Sequence, residues 1–313
     1  MEWSRVIGDA VQYMEGHIME DISVYDVAAY VHVSPFYFHK GFSLLCGYSM
    51  TEYLRNRRMA MAGEELITSG ISVTELAMKY GYDSPDSFSK AFSRFHGHTP
   101  LAVRREQAAI KTFAPLKLSI SLSGGYIMDY RIESKASFTV VGVAREFGYD
   151  NARQAIPLFW EEYFSGKKNK PVSGMFGINI DLRTGEKSGK SGLYGAAPHD
   201  GETPAGHGKG KFEYLIADLY DSSAGIPEGC VGMTIPAFTW AVFPCEGALT
   251  DSLQNTNRKI FSEWLPASQY EFAAGYCVEM YDEVDKYPKG TDDPEYYAEI
   301  WIPVKKQKPG GIL

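Results

Sequence analysis

Ser72-Val73-Thr74-Glu75-Leu76-Ala77-Met78-Lys79-Tyr80-Gly81-Tyr82-Asp83-Ser84-Pro85-Asp86-Ser87-Phe88-Ser89-Lys90-Ala91-Phe92 reads as helix, tight turn, second helix. An earlier segment has the same form: a helix pattern over 23–31, a break at His32-Val33, then Ser34-Pro35-Phe36-Tyr37-Phe38-His39-Lys40-Gly41-Phe42. From Ser34 to Ser84 the shift is 50 residues. Internal repetition at a fixed period defines an architecture before any single residue is interpreted.

Each repeat has readable physics. Ser23 and Ser72 are placed to cap a first helix, and Ser72-x-x-Glu75 has capping-box spacing. Ala28 and Ala77 leave room for a close helix crossing, and Gly81 supplies the positive φ that ends a helix. Ser34-Pro35 and Ser84-Pro85 combine a capping hydroxyl with a proline in the first turn, where its missing N–H has no consequence. Phe38/Phe42 and Phe88/Phe92 recur at i, i+4 and bury one face. The remaining face carries Phe36, Tyr37, His39 and Lys40 in the first unit, and Pro85, Asp86, Ser89, Lys90 and Arg94 in the second. Early residues of a second helix are those that reach base edges in helix-turn-helix proteins. Arg55, on the amphipathic helix joining the units (47–62), completes the candidate DNA-binding set.

The joined motifs Ser34-Pro35…Phe42, Gly47-x-Ser49-x-x-Glu52-Tyr53-Leu54-Arg55-x-x-Arg58, Gly81-Tyr82 and Phe88-Ser89-Lys90-Ala91-Phe92…Gly97-x-Thr99-Pro100 resemble the AraC/XylS family of bacterial transcription regulators. The resemblance implies double-stranded DNA and RNA polymerase as partners, and no catalysis. It has departures. Lys40 and Gly41 stand where such proteins commonly carry Arg and Leu, and lysine cannot fork onto guanine as arginine does. Asp86 stands where a neutral polar residue is usual. Charge does not favour DNA on first count, because residues 1–111 carry 11 Lys+Arg against 13 Asp+Glu; within 34–105 the balance is 9 against 6, the acid lying mostly N-terminal to it, in a chain of net charge −8. Phosphate contacts would draw on Lys40, Arg55, Arg57, Arg58, Lys79, Lys90, Arg94, Arg104 and Arg105, about half of them being solvated faces or ion pairs.

With 313 residues the chain has room for two domains. No export signal, lipidation motif or membrane-length apolar run is present, so a cytoplasmic location without membrane contact is expected. Cys46, Cys230, Cys245 and Cys277 lack paired spacing and read as reduced thiols. The histidines have no acidic or thiolate partners at ligand spacing, so neither metal nor other cofactor is expected. The expected division is a double helix-turn-helix domain over 1–108, a linker over 109–125 and a second domain over 126–313.

That second domain turns to β composition. Strands are expected over 128–133, 138–144, 175–181, 211–217, 237–243, 275–281 and 296–304, with helices over 152–164 and 249–264. The whole is therefore multidomain, an all-α double helix-turn-helix followed by an α+β module of two ββαβ-like halves. The Gly206–Lys211 run lacks the following helix and Ser/Thr of a phosphate loop, and a glycine-rich hairpin over 187–209 is the better reading.

Ile235-Pro236-Ala237-x-x-x-Ala241-x-Phe243, Trp264-Leu265-Pro266-x-Ser268-x-Tyr270-Glu271, Val278-Glu279-Met280-Tyr281 and Glu299-Ile300-Trp301-Ile302-Pro303-Val304 are similar to GyrI-like effector-binding domains, in the Rob-like order behind an N-terminal double reader. The resemblance implies a small-molecule effector, with Glu279 facing cationic ligands at the base of the pocket. Trp160, Tyr163, Tyr214, Trp240, Tyr276, Tyr296 and Trp301 are the aromatic lining candidates, and Glu299 reads as structural. The alternatives are a constitutive DNA binder whose module serves protein contacts, or a hydrolase-like module with Glu279 as general base. The chain can act as monomer or homodimer, since one copy already holds two readers.

Overall fold

The computed structural model describes residues 3–117, 128–166, 170–180, 193–195 (backbone), 210–223 and 225–307. The expected hairpin at 187–209, with His199 and His207, lies outside them except for Leu193–Gly195, as does the linker from 118 onward.

The N-terminal region is helical: α1 (Trp3–Gly16), α2 (Val24–Tyr30), α3 (Pro35–Cys46), α4 (Met50–Thr68), α5 (Val73–Lys79), α6 (Pro85–His96) and α7 (Pro100–Glu106). The caps at Ser23, Ser34, Ser72 and Ser84 are the ones expected, and Ser49, Gly47 and Gly97 add to them. Ser23, Ser49 and Ser72 each form a reciprocal capping box with Asp26, Glu52 and Glu75. Ser34 Oγ and Ser84 Oγ accept from Tyr37 N and Ser87 N, both at 3.2 Å. Gly47 and Gly97 close α3 and α6 at φ 78° and 86°. At the inner turns, Val33 N bonds Ala28 O and Tyr82 N bonds Ala77 O, with His32 (φ 56°) and Gly81 (φ 80°) in equivalent left-handed positions.

The C-terminal region contains β1 (Arg131–Lys135), β2 (Phe138–Gly148), α8 (Ala152–Ser165), β3 (Phe176–Ile180), β4 (Leu193–Gly195), β5 (Lys211–Leu219), β6 (Val231–Ile235), β7 (Phe238–Glu246), α9 (Leu249–Lys259), β8 (Tyr270–Phe272), β9 (Tyr276–Tyr281) and β10 (Tyr297–Lys306). They form one sheet in the order β1-β7-β10-β9-β3-β5-β2-β6-β4, with β8 on β10. The halves meet where β3 pairs β9 antiparallel. They also exchange strands: β1 pairs β7 of the second half, and β6 pairs β2 of the first. The sequence reading missed α1, β6 and β8, and placed β1 three residues early. Helix α9 runs on through a π turn, Ile260–Trp264. The wider turn carries Phe261, which packs against Trp3 of α1 at 5.3 Å between ring centroids.

The sheet has two apolar faces. One carries Val140, Ile178, Leu215, Trp240, Tyr276 and Val278. The other carries Tyr214, Phe243, Cys277 and Ile300, and its core continues without interruption into α1, α2, α3 and the start of α4. The second repeat has a separate core of Met59, Leu66, Leu76, Tyr80, Phe88, Phe92 and Val103. The first repeat is thus built into the C-terminal module, and the second stands apart.

Candidate functional site

Glu279 lies on β9 directly opposite Gly177 of β3, at the junction of the two halves. Period-two alternation places it on the same face as Cys277 and Tyr281. Tyr281 Oη donates to Glu279 Oε2 at 2.7 Å, and Tyr214 Oη reaches the same oxygen at 3.4 Å. Trp160 Nε1 donates to Tyr214 Oη at 2.9 Å, and the Trp160 ring stands edge-on to Tyr281 at 5.2 Å. Phe164 stacks parallel to Trp160, at 5.7 Å and 7°. Gly177 is required here, because a Cβ at that position would run into Tyr214 Oη and sit 3.1 Å from Tyr281 Oη. Burial, then the Glu279 charge, push both tyrosine hydroxyls well above their ordinary range, so they remain protonated donors. Among the described residues no cationic side chain lies within ion-pair distance of Glu279. The result is a half-buried carboxylate with two phenol donors and an indole wall.

Of the eight lining candidates, Glu279, Trp160 and Tyr214 come together. Tyr163 is near but committed, exchanging hydrogen bonds with Val172 O at 2.7 Å and Val172 N at 3.1 Å. Trp240, Tyr276 and Trp301 belong to the opposite face of the sheet. Tyr296 is buried, donating to Asp282 O at 2.9 Å. These four do not join the Glu279 cluster, because strand parity or burial turns them away. Glu299, read as structural, has its carboxylate engaged by Arg131 (2.8 Å), Tyr297 (2.6 Å) and Trp301 Nε1 (2.6 Å). Tyr281, Gly177 and Phe164 were missed, although Tyr281 is two residues from Glu279 and so shares its face.

The candidate DNA contacts divide just as sharply. On α6, Asp86, Lys90 and Arg94 are exposed and Pro85 and Ser89 half-buried, while Arg55 of α4 is exposed. On α3, the face expected to be free is covered. Phe36 and Tyr37 are buried, and His39 and Lys40 half-buried. Tyr37 lies flat on Phe272 of β8, at 3.7 Å and 3°, and donates to Tyr276 O. Phe36 meets Phe212 at 5.8 Å, and His39 meets Tyr149 at 5.0 Å. Lys40 Nζ donates to Cys277 Sγ at 3.5 Å. Burial pushes the His39 imidazole down to about 4, against weaker opposing pulls from Asp150 and Glu52. Several cations counted toward phosphate also have structural partners. Arg57 grips Glu15 through two nitrogens at 2.8 Å and donates to Phe113 O. Arg58 holds Ile18 O and Glu20 O, Lys79 pairs Glu65, and Arg104 holds Ile71 O.

His96 has both ring nitrogens engaged: Nε2 with Met59 O at 2.9 Å, and Nδ1 accepting from Lys111 N at 3.0 Å. Its ring fits because Gly63 has no Cβ, and burial holds its pKa below the ordinary value. Among the described residues no helix is long and apolar enough to cross a membrane.

Comparison with known proteins places both regions. Residues 27–106 match a helix-turn-helix domain model, and residues 131–304 match the integron-associated effector binding protein model. Among curated proteins, the chain is 28% identical to the transcriptional regulator Rob of Salmonella typhimurium, over 98% of this chain and all of that one. It is 23% identical to the right origin-binding protein of Escherichia coli K12, with the same coverage. A solved transcription regulation protein from Staphylococcus aureus MU50 is 24% identical, covering 57% of this chain and 99% of its own, with a TM-score of 0.38.

Proposed function

We propose that this chain, which belongs to the AraC-type DNA-binding transcription regulators and, over 131–304, to the integron-associated effector-binding family, responds to a small aromatic cation seated at Glu279. One observation carries the choice of ligand class: a half-buried carboxylate bracketed by Tyr281, Tyr214 and Trp160, with no cationic side chain paired to it among the described residues. A delocalised cation with an apolar body satisfies both the carboxylate and the ring faces, whereas an anion is repelled. The phenol donors keep the carboxylate ordered without neutralising it. DNA, on this reading, is met in the cytoplasm by Pro85, Asp86, Ser89, Lys90 and Arg94 of α6 and by Arg55, with Phe36, Tyr37, His39 and Lys40 contributing once α3 is free.

The test is thermal unfolding of the full chain with tetraphenylphosphonium, and with neutral triphenylphosphine oxide of similar shape. A ligand at 100 times its Kd adds about 2.7 kcal/mol to the stability of the state it binds. The cation is expected to raise Tm in the native chain and to lose that effect in Glu279→Gln, while the neutral compound has little effect in either. Equal stabilisation of both proteins by the cation would refute the role of Glu279.

A further inference from the structure

We infer that the C-terminal module and DNA are mutually exclusive partners of α3, and that a cation at Glu279 tips the balance toward DNA by opposing Lys40. The second half rests on the effector reading above; the first does not.

The exclusion follows from dimensions. A helix with its side chains is about 10–12 Å across, and the major groove about 12 Å wide, so a helix enters only if its leading face is bare. The leading face of α3 is not bare. Tyr37 is fully covered by Phe272 and the Tyr276 carbonyl, and Phe36 by Phe212. The contact is also fitted to this sequence. A Cβ at Gly41 would come 2.6 Å from the Trp3 ring and 3.0 Å from Phe261, so the glycine permits α3 to sit where it does. Helix α2 is fastened to the same module, with Tyr25 Oη donating to Lys211 O at 2.9 Å.

The coupling follows from charge. Lys40 reaches Cys277, and Glu279 is two residues along the same face of β9. Burial is the main cause that raises the Cys277 and Cys245 thiols above their ordinary pKa; Lys40 lowers and Glu279 raises them further, so both charges are felt at these sulfurs. The closed chain therefore holds its own ammonium at the thiol two residues from the carboxylate assigned to the ligand. A bound cation meets like-charge repulsion from Lys40 in the closed state and none once α3 has left. That difference in affinity is what allows a ligand to shift a conformational equilibrium.

Cys277, beneath Lys40 and Tyr37, reports the opening. The full chain is treated with iodoacetamide, alone and with a short duplex enriched by the chain itself from a random library, and Cys277 alkylation is followed by mass spectrometry. Saturating duplex is expected to speed labelling at least about tenfold; protection unchanged with DNA bound overturns the exclusion. Phe272→Ala removes the ring under Tyr37 while leaving every DNA-facing side chain in place. It is expected to tighten duplex binding by about tenfold, and faster labelling with unchanged affinity would also overturn the exclusion. Tetraphenylphosphonium is expected to speed Cys277 labelling in the native chain but not in Lys40→Met. If the cation raises Tm without speeding labelling, the coupling is refuted and the effector site stands. If it does not bind, the effector reading fails, and the coupling with it, while the DNA experiment still decides the exclusion.

Discussion

Helices α3 and α6 both start at Ser-Pro, carry phenylalanine four and eight residues after that serine, and end on a left-handed glycine. At the positions between, they diverge: Phe36 against Asp86, Tyr37 against Ser87, His39 against Ser89, Gly41 against Ala91. The second set is that of a helix with one wet face. The first set is apolar on both sides, and the structure gives each side something to cover it: Phe38 and Phe42 inside the repeat, Phe36 and Tyr37 against the C-terminal sheet. The two copies thus share the helix-turn-helix frame, while the outward face of the first is fitted to the C-terminal sheet. Lys40 and Lys90 do remain equivalent, but the first bonds a thiol while the second is exposed.

The comparison can be broken by paired substitutions. Tyr37→Ala should cost about 3–5 kcal/mol, the usual range for removing a buried aromatic, whereas Ser87→Ala should stay within about 0.5 kcal/mol; urea unfolding of the full chain measures both. Equal effects would mean that the two outward faces are alike. Gly41→Ala comes next. Alanine favours a helix over glycine by about 1 kcal/mol, but here the methyl must displace the Trp3 ring, so a net loss of about 1–2 kcal/mol is expected. Ala91→Gly should lose about 1 kcal/mol through propensity alone.

Acidification sharpens the same contrast at His39, which has only Ser89 as its counterpart. His39 faces Tyr149, Asp150 and Glu52, and its pKa falls to about 4 in the closed chain, against about 6.5 for a free imidazole. A depressed histidine pKa means that closure is fully stabilised above about 6.5 and is weakened as pH falls from there toward 4. Moving from pH 7.5 to about 5.5 should therefore favour opening by up to about tenfold, seen as faster Cys277 alkylation after correction for the pH dependence of the reagent. His39→Gln should abolish the change. The smallest effect is on salt: Lys90→Ala should weaken DNA binding evenly across sequences and lower the slope of log affinity against log salt by about 0.9.

Much of this molecule is legible from sequence because local signals and tertiary structure agree. The capping serines, the glycines at 47, 81 and 97 and the strand–helix alternation of the C-terminal module all appear where residue chemistry puts them. Strand exchange between β1 and β6 is not legible, since pairing partners far apart in sequence leave no mark on composition. In the candidate site, Glu279, Trp160 and Tyr214 converge, but Trp240, Tyr276 and Trp301 do not. Tyr276 is three residues from Glu279 on one strand, and parity alone sends it to the other face. For Trp240 and Trp301 no such local rule applies, because which face becomes the groove depends on where α8 and α9 settle. The covered state of α3 had a trace, in the adjacent aromatics Phe36-Tyr37-Phe38, which no single-sided amphipathic helix needs.

Whether α3 is covered and α6 bare is read from hydrogen exchange of the backbone amides of α3 against those of α6, in the full chain without DNA or ligand. Both helices have the same length and the same caps, so differences report tertiary cover rather than local propensity. The amides of Phe38–Cys46 are expected to exchange at least about tenfold more slowly than those of Phe88–His96. Equal protection of the two helices, or faster exchange in α3, would contradict a covered α3.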